Sequence, residues 1–345
     1  MKDVECTVAA ADWHSHWMPP TLVRLLERRL EPPLISRIGG VPHLQVGKRA
    51  RPLDPVALDL DVRRAQLLRV GVRWQMLSLS SLWNIDNLPP AESLPLVRAF
   101  NDDTLQAVTH APGMFAGLAA LPLHDLEAAS AELQRTRMNG LRGAILPAGA
   151  FATLSRARRL APLLQRADAL KAHLFIHPGH MQPRITPTPR DDNWWVRRIV
   201  LETQHQLSAA MLTLCSTALL RDYPHVSIQV ANLGGGLPFY LERLRAVATD
   251  DPDKHAEPWC LQTRQLLVDS ASFGPLAVGL AIDSLGPDKI VLGTDMPIFS
   301  APGAVEALRT ALVCRADHSF KPDVEAKRSC WSNSGVPGAG PPISP

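Results

Sequence analysis

The chain has 345 residues, 46% of them hydrophobic and 20% charged, which suits one large soluble domain with a full core. Its 36 basic and 33 acidic residues leave a formal net charge of +3, and no basic stripe interleaved with aromatics points to a nucleic-acid partner. No apolar run reaches the roughly 18 residues a membrane span needs, and the first residues lack the apolar centre of a secretory leader. The five cysteines are scattered without a Cys-x-x-Cys pair. Free thiols in the cytoplasm, with no membrane partner, are therefore expected.

In chain order, the run Thr7 to Ala11 reads as a short buried strand, followed by Asp12-Trp13-His14-Ser15-His16. Histidines at i and i+2 point to the same side of a strand. Placed just past a strand end, both imidazoles can reach one metal ion; alone, such a pair is more often two exposed histidines in an N-terminal loop, and the rest of the chain reverses those odds. A segment rich in Pro, Gly and basic residues, about 31–55, reads as a loop inserted over the mouth of the domain. A repeating unit then begins, in which an amphipathic helix and a short breaker lead into an apolar run. Asp61 to Val70 precedes Trp74 to Leu79, Ala91 to His110 precedes Phe115 to Ala120, and Leu126 to Met138 precedes Gly143 to Leu146. Leu154 to Leu170 precedes His173 to Ile176, and a second insertion follows at 178–195. Gln206 to Arg221 precedes Val226 to Val230, Leu266 to Val268 is another apolar run, and Leu276 to Leu285 precedes Lys289 to Leu292.

Eight apolar runs alternating with helices imply a parallel sheet buried on both faces. The count and length fit an α/β fold of the (β/α)8 TIM-barrel type, with inserted loops over its C-terminal face. A doubly wound open sheet is the alternative, but no Gly-x-Gly-x-x-Gly follows an early strand. In a barrel, the residues just past the strands share one rim. Here these are His14 and His16 after the first run, His177 after the fifth, Asn232 after the sixth and Asp295 after the eighth. Three histidines and one aspartate suit a divalent metal, with zinc expected and iron, manganese or cobalt as alternatives.

Several stretches together resemble the amidohydrolase superfamily, in the branch typified by aminocarboxymuconate-semialdehyde decarboxylase. They are Asp12 to His16 with Pro19-Pro20, Phe100-Asn101-Asp102-Asp103, Phe175-Ile176-His177-Pro178, Leu233 to Pro238 with Arg243, Asp269 to Ser272, and Leu285 to Lys289 leading into Gly293 to Pro297. The resemblance runs from about residue 7 to about residue 325 and implies that His14, His16, His177 and Asp295 ligate one ion. It also implies a homodimer in which Arg243 enters a neighbour's substrate pocket. The expected activity is non-oxidative decarboxylation of a small aromatic or unsaturated carboxylate. The alternative is hydrolysis of a lactone, ester or amide by the same metal-bound water. A barrel that binds ligand without turnover is the third reading.

The resemblance also marks two departures. Decarboxylases of this branch usually carry a histidine general acid/base where this chain has Asn232, and an amide cannot shuttle a proton near neutral pH. His180 or His205 could replace it, Asp295 could act as both ligand and base, or the chemistry could be altered. The second departure is residues 328–345, whose Pro/Gly-rich composition cannot form the family's closing helix. The barrel is thus expected over 1–327, with a disordered tail from a shifted reading frame, a reading that limited proteolysis tests. Arg49, Arg51 and Lys48 in the first insertion could pair with a substrate carboxylate or form a solvated basic loop. Trp83, Trp194 and Trp195 could line an aromatic pocket or pack the long loops. Asp269 could orient a ligating histidine or cap its strand; capping is the simpler reading.

Overall fold

The computed structural model describes residues 11–47, 49–181, 194–249 and 265–316. Eight parallel strands form one sheet: β1 (Ala11–His16), β5 (Trp74–Ser78), β6 (Phe115–Ala119), β7 (Gly143–Pro147), β8 (His173–His177), β9 (Ser227–Val230), β10 (Leu266–Asp269) and β11 (Ile290–Val291). Each pairs with its neighbour in that order. The segment after β11 returns to β1 through the backbone bonds Trp13 N–H to Leu292 O (2.8 Å), Asp295 N–H to His14 O (2.8 Å) and His16 N–H to Met296 O (2.7 Å), which close the ring. The architecture is the expected (β/α)8 barrel.

Every residue of β6, β7 and β8 is buried, as strands covered by helices outside and by barrel filling inside must be. The helices start where side-chain oxygens can take up free backbone N–H groups. Asp125 accepts from Glu127 and Ala128 ahead of helix Leu126–Met138, and Asp59 accepts from Asp61 and Val62 ahead of Leu60–Arg69. The helix expected over 154–170 divides at Leu160 into Leu154–Arg159 and Ala161–Ala169, because Pro162 cannot donate to the preceding turn.

Two expectations are corrected. The first strand is β1, and the two histidines lie within it rather than beyond its end; Thr7 to Ala10 lie outside the described residues. Asp12 makes the segment look too polar for a strand, but in the barrel its carboxylate is fully paired. It accepts from Gln75 Nε2 (2.6 Å), Thr294 Oγ1 (2.7 Å) and the backbone of His14 and Thr294. The insertion at 31–55 is a three-stranded antiparallel sheet, not an irregular loop: β2 (Leu34–Ile38), β3 (Val41–Val46) and β4 (Arg49–Pro52). Ile38 pairs with Val41 across a two-residue turn in which Gly39 and Gly40 both have positive φ (57° and 82°), the conformation a tight hairpin requires. Ile35 and Leu44 pair across this sheet and are buried.

Candidate metal centre

The strand register brings the site together. His14 and His16 project from β1, and His177 ends the inward face of β8, which reads His173, Phe175, His177. The Phe175 ring lies 4.8 Å from that of His14, forming the floor beneath the histidines. Asp295 follows Gly293 and Thr294 in the segment that closes the barrel, clamped there by the Thr294–Asp12 bonds. All four side chains are buried, and one potential ligand atom from each lies within 4.8 Å of the others.

The histidine tautomers follow from their partners. His14 Nδ1 faces Asp269 Oδ1 at 3.0 Å and donates to that carboxylate. His177 Nδ1 donates to the Pro178 carbonyl (3.0 Å). Ser78 Oγ gives its hydrogen to Ser15 O (2.8 Å), so it accepts from His16 Nδ1 (3.0 Å). In this arrangement all three Nε2 lone pairs point inward. His16 Nε2 lies 3.3 Å from His14 Nε2 and 3.0 Å from His177 Nε2, and Asp295 Oδ1 lies 3.3–3.5 Å from the β1 pair. Among the described residues, Asp295 Oδ1 is buried without a hydrogen-bond partner. Converging acceptors with an orphaned carboxylate oxygen fit a cation. Metal–nitrogen bonds of about 2.0–2.1 Å give ligand–ligand edges of about 3.3 Å in a tetrahedron, which matches these separations.

The electrostatics of these side chains agree. Burial opposes a charge on His14, but the Asp269 and Asp295 carboxylates overcome it and raise its pKa to about 9. Burial and the neighbouring His14 hold His16 well below the usual range, and burial with His16 does the same to His177. Burial pushes Asp295 up. Burial also opposes ionisation of Asp269, yet His14 and its hydrogen bonds keep it low and therefore charged.

The other expected residues are spread around the barrel. Asn232 is buried just past β9 with a positive φ of 53°. Its Nδ2 donates to Ser272 Oγ and Ala271 O, and its backbone N–H donates to Asp269 Oδ1 (3.1 Å). It therefore braces the loop after β10. His180 and His205 line a separate cavity of about 600 Å³ with Arg197, Glu202, Gln206 and Tyr240. None of the four clustered ligands lines that cavity. Arg243 is exposed on helix Leu237–Thr249, and Arg51 is exposed on β4, which also carries Arg49. Trp194 begins a short helix, while Trp195 follows it; their side chains, with those of Lys48 and Arg49, lie outside the described set. So do residues 182–193 of the second insertion and the 328–345 tail. Trp83 is buried with its ring 6.0 Å from His16, forming part of the site wall. Asp269 both holds His14 and accepts the Ala271 N–H (3.2 Å), so it orients that imidazole as well as capping its strand.

Sequence reasoning missed three contributors. Gln229 donates from Nε2 to Asp269 Oδ2 (2.8 Å) and Trp13 O (3.2 Å). Buried Arg63 donates to His16 O (2.5 Å), Val56 O (2.9 Å) and Gln75 Oε1 (3.0 Å). His173 contacts Gln229 from below. The only sequence signal for His173 is its four-residue spacing from His177, which on a strand means the same face.

The family profile described as Amidohydrolase (Amidohydro_2) matches residues 11–334. The chain is 27% identical over 259 residues to 2-amino-3-carboxymuconate-6-semialdehyde decarboxylase of Dictyostelium discoideum, covering 73% of this chain and 70% of that one. It is 24% identical over 309 residues to gamma-resorcylate decarboxylase of Polaromonas sp. strain JS666, covering 80% and 86%. Among solved structures it superposes on IDCase of Metarhizium anisopliae with a TM-score of 0.75 at 20% identity, covering 95% and 96% of the two chains. It superposes on a dihydroxybenzoic acid decarboxylase from Polaromonas sp. JS666 with bound manganese at a TM-score of 0.63 and 20% identity, covering 90% and 93%. With a family profile spanning nearly the whole barrel, the chain belongs to the amidohydrolase family.

Proposed function

We propose that the protein is a divalent-metal-dependent enzyme that removes carbon dioxide without oxidation from a small aromatic or unsaturated carboxylate. The observation that carries this reading is the convergence of His14, His16 and His177 Nε2 with the orphaned Asp295 Oδ1. Both relatives named above are decarboxylases, and the one from Polaromonas takes its name from a resorcylate. A bound divalent ion supplies Lewis acidity that draws negative charge from substrate oxygens. The chain's own residues do the rest. Phe175 and Trp83 wall the site with apolar rings. The bond between the ring carbon and the carboxylate breaks, its electrons stay on the carbon, and a proton takes the vacated position. Asn232 cannot give that proton. With Oδ1 facing the histidines, Oδ2 of Asp295 is the atom that delivers it. His180 and His205 would then serve the separate cavity they line rather than the proton.

Zinc is the ion we favour, on the match between ligand spacing and a tetrahedral edge. Manganese competes, because the same donor set accepts it. Arg243 and a β4 arginine, Arg49 or Arg51, would neutralise the carboxylate, with Trp194 as an aromatic wall. Arg243 would act across a homodimer interface; the neighbouring Phe239 (75% exposed) and Val247 (58%) present apolar surface for one. Cys215 and Cys314 carry free thiols, in keeping with a cytoplasmic setting. No helix among the described residues is long and apolar enough to cross a membrane.

The test is a panel of ortho-hydroxybenzoates, 2,6-dihydroxybenzoate included, incubated with metal-loaded protein. The expected result is one carbon dioxide per phenol formed, lost on chelation and in Asp295→Asn. Acid release from a lactone panel with no carbon dioxide from any carboxylate would establish the hydrolase instead.

A further inference from the structure

The polar contacts beneath the metal centre form a column through the barrel with one fixed direction. Gln229 supplies the key to it. Its Nε2 lies 2.8 Å from Asp269 Oδ2 and 3.2 Å from Trp13 O. Both are acceptors only, so the amide cannot be reversed without setting oxygen against oxygen. Gln229 Oε1 must then face His173 Nε2, at 3.2 Å, and that nitrogen must carry hydrogen. The other ring nitrogen, Nδ1, lies 3.1 Å from Ser227 Oγ and accepts from it. Burial lowers the His173 pKa to about 4, so the ring is neutral near pH 7.

The column therefore runs Ser227 O–H to His173 Nδ1, His173 Nε2–H to Gln229 Oε1, Gln229 Nε2–H to Asp269 Oδ2, and His14 Nδ1–H to Asp269 Oδ1. The carboxylate receives from both sides, and its second donor is a metal ligand. His173 is also fixed from the side: its ring meets that of Trp13 edge-on at 5.6 Å. It lies at the opposite end of β8 from the ligand His177, on the same inward face.

We infer that His173 is a positioning residue for the metal centre, steadying the aim of His14 through Gln229 and Asp269. A bland alternative is a core histidine that merely satisfies its own polar atoms. The two differ in what they do to the ion. A column that sets the Asp269 carboxylate keeps His14 Nε2 free for the metal, and outer partners of this type change metal affinity by about 10–100-fold when lost. The inference rests on the metal-centre reading.

The experiment measures zinc dissociation by competition with a chromophoric chelator, alongside melting of the ion-free protein. Wild type, His173→Phe and His173→Gln are compared. Phenylalanine fills the space but cannot donate to Gln229; glutamine restores an N–H. The expected result is zinc bound about tenfold more weakly by His173→Phe, with recovery in His173→Gln. Equal zinc affinity in wild type and His173→Phe would overturn the inference while leaving the metal centre standing. Failure of wild type to bind zinc or manganese at all would instead overturn the metal-centre reading. If His173→Phe does not fold, ¹⁵N imidazole shifts of the zinc-loaded wild type decide. A neutral His173 protonated on Nε2 at pH 7 supports the column, and a ring protonated on Nδ1 overturns it.

Discussion

Gly293 gives the sharpest structural prediction, because it sits against the carboxylate that aims His14. A Cβ built there would lie 2.8 Å from Asp269 Oδ1 and 2.9 Å from both its Cβ and Cγ. Ordinary carbon–oxygen contacts begin near 3.4 Å, so Asp269 would have to retreat by about half an ångström. The backbone at 293 is not in the left-handed region, so alanine adds the clash without conformational strain of its own. Asp269 has no slack: Oδ1 serves His14 (3.0 Å), Asn232 N–H (3.1 Å) and Ala271 N–H (3.2 Å), while Oδ2 serves Gln229. Overpacking of this kind costs about 1–3 kcal/mol of stability, and displacement of a ligand's orienting carboxylate weakens metal binding by about 10–100-fold. Gly293→Ala should therefore fold with a lowered melting temperature and bind zinc more weakly by that factor in a chelator competition. A folded Gly293→Ala with wild-type zinc affinity would refute the claim that Asp269 aims the ligand.

Four further outcomes follow from named contacts. Metal uptake must displace the proton that Asp269 and Asp295 hold on His14 up to a pH of about 9. Calorimetry in buffers of different ionisation enthalpy should find about one proton released per ion near pH 7, with release fading above pH 9. In the ion-free protein, a histidine raised from 6.5 to about 9 contributes stability that is complete below pH 6.5 and lost as pH rises through 9; melting in the presence of chelator across that window checks the sign. Arg63→Met should destabilise the fold by about 3–5 kcal/mol in urea unfolding, because it strands His16 O, Val56 O and Gln75 Oε1 beside buried Asp12. Asn232→His should leave metal content unchanged, since Asn232 is not among the clustered ligands, but shift the pH profile of carbon dioxide release by placing a titratable ring near the site.

The sequence exposes the barrel because its signals are local and repeated. Leu126–Met138 is bounded by Asp125 and Asn139-Gly140, and its two ends match the structure. The candidate ligand set is partly legible, since His16 and His177 end their strands, His14 shares the inward face of β1 with His16, and Asp295 lies in the segment that closes the barrel. What escapes is carried by pairings distant in sequence. Asp12 looks like the end of a strand until Gln75 and Thr294 satisfy it. Gln229 and His173 read as ordinary members of apolar runs, and only the closed barrel turns them towards Asp269. The β2–β3 hairpin is a different failure. Ile38-Gly39-Gly40-Val41 carries a tight-turn signal, but flanking prolines and arginines mask it in composition.

The metal content of the purified protein tests the central claim most directly. Elemental analysis after metal loading and desalting, beside a His14→Ala/His16→Ala variant, should give about one divalent ion per chain in the wild type and none in the variant. A wild type that retains no zinc or manganese, or a variant that retains as much as the wild type, would contradict the account.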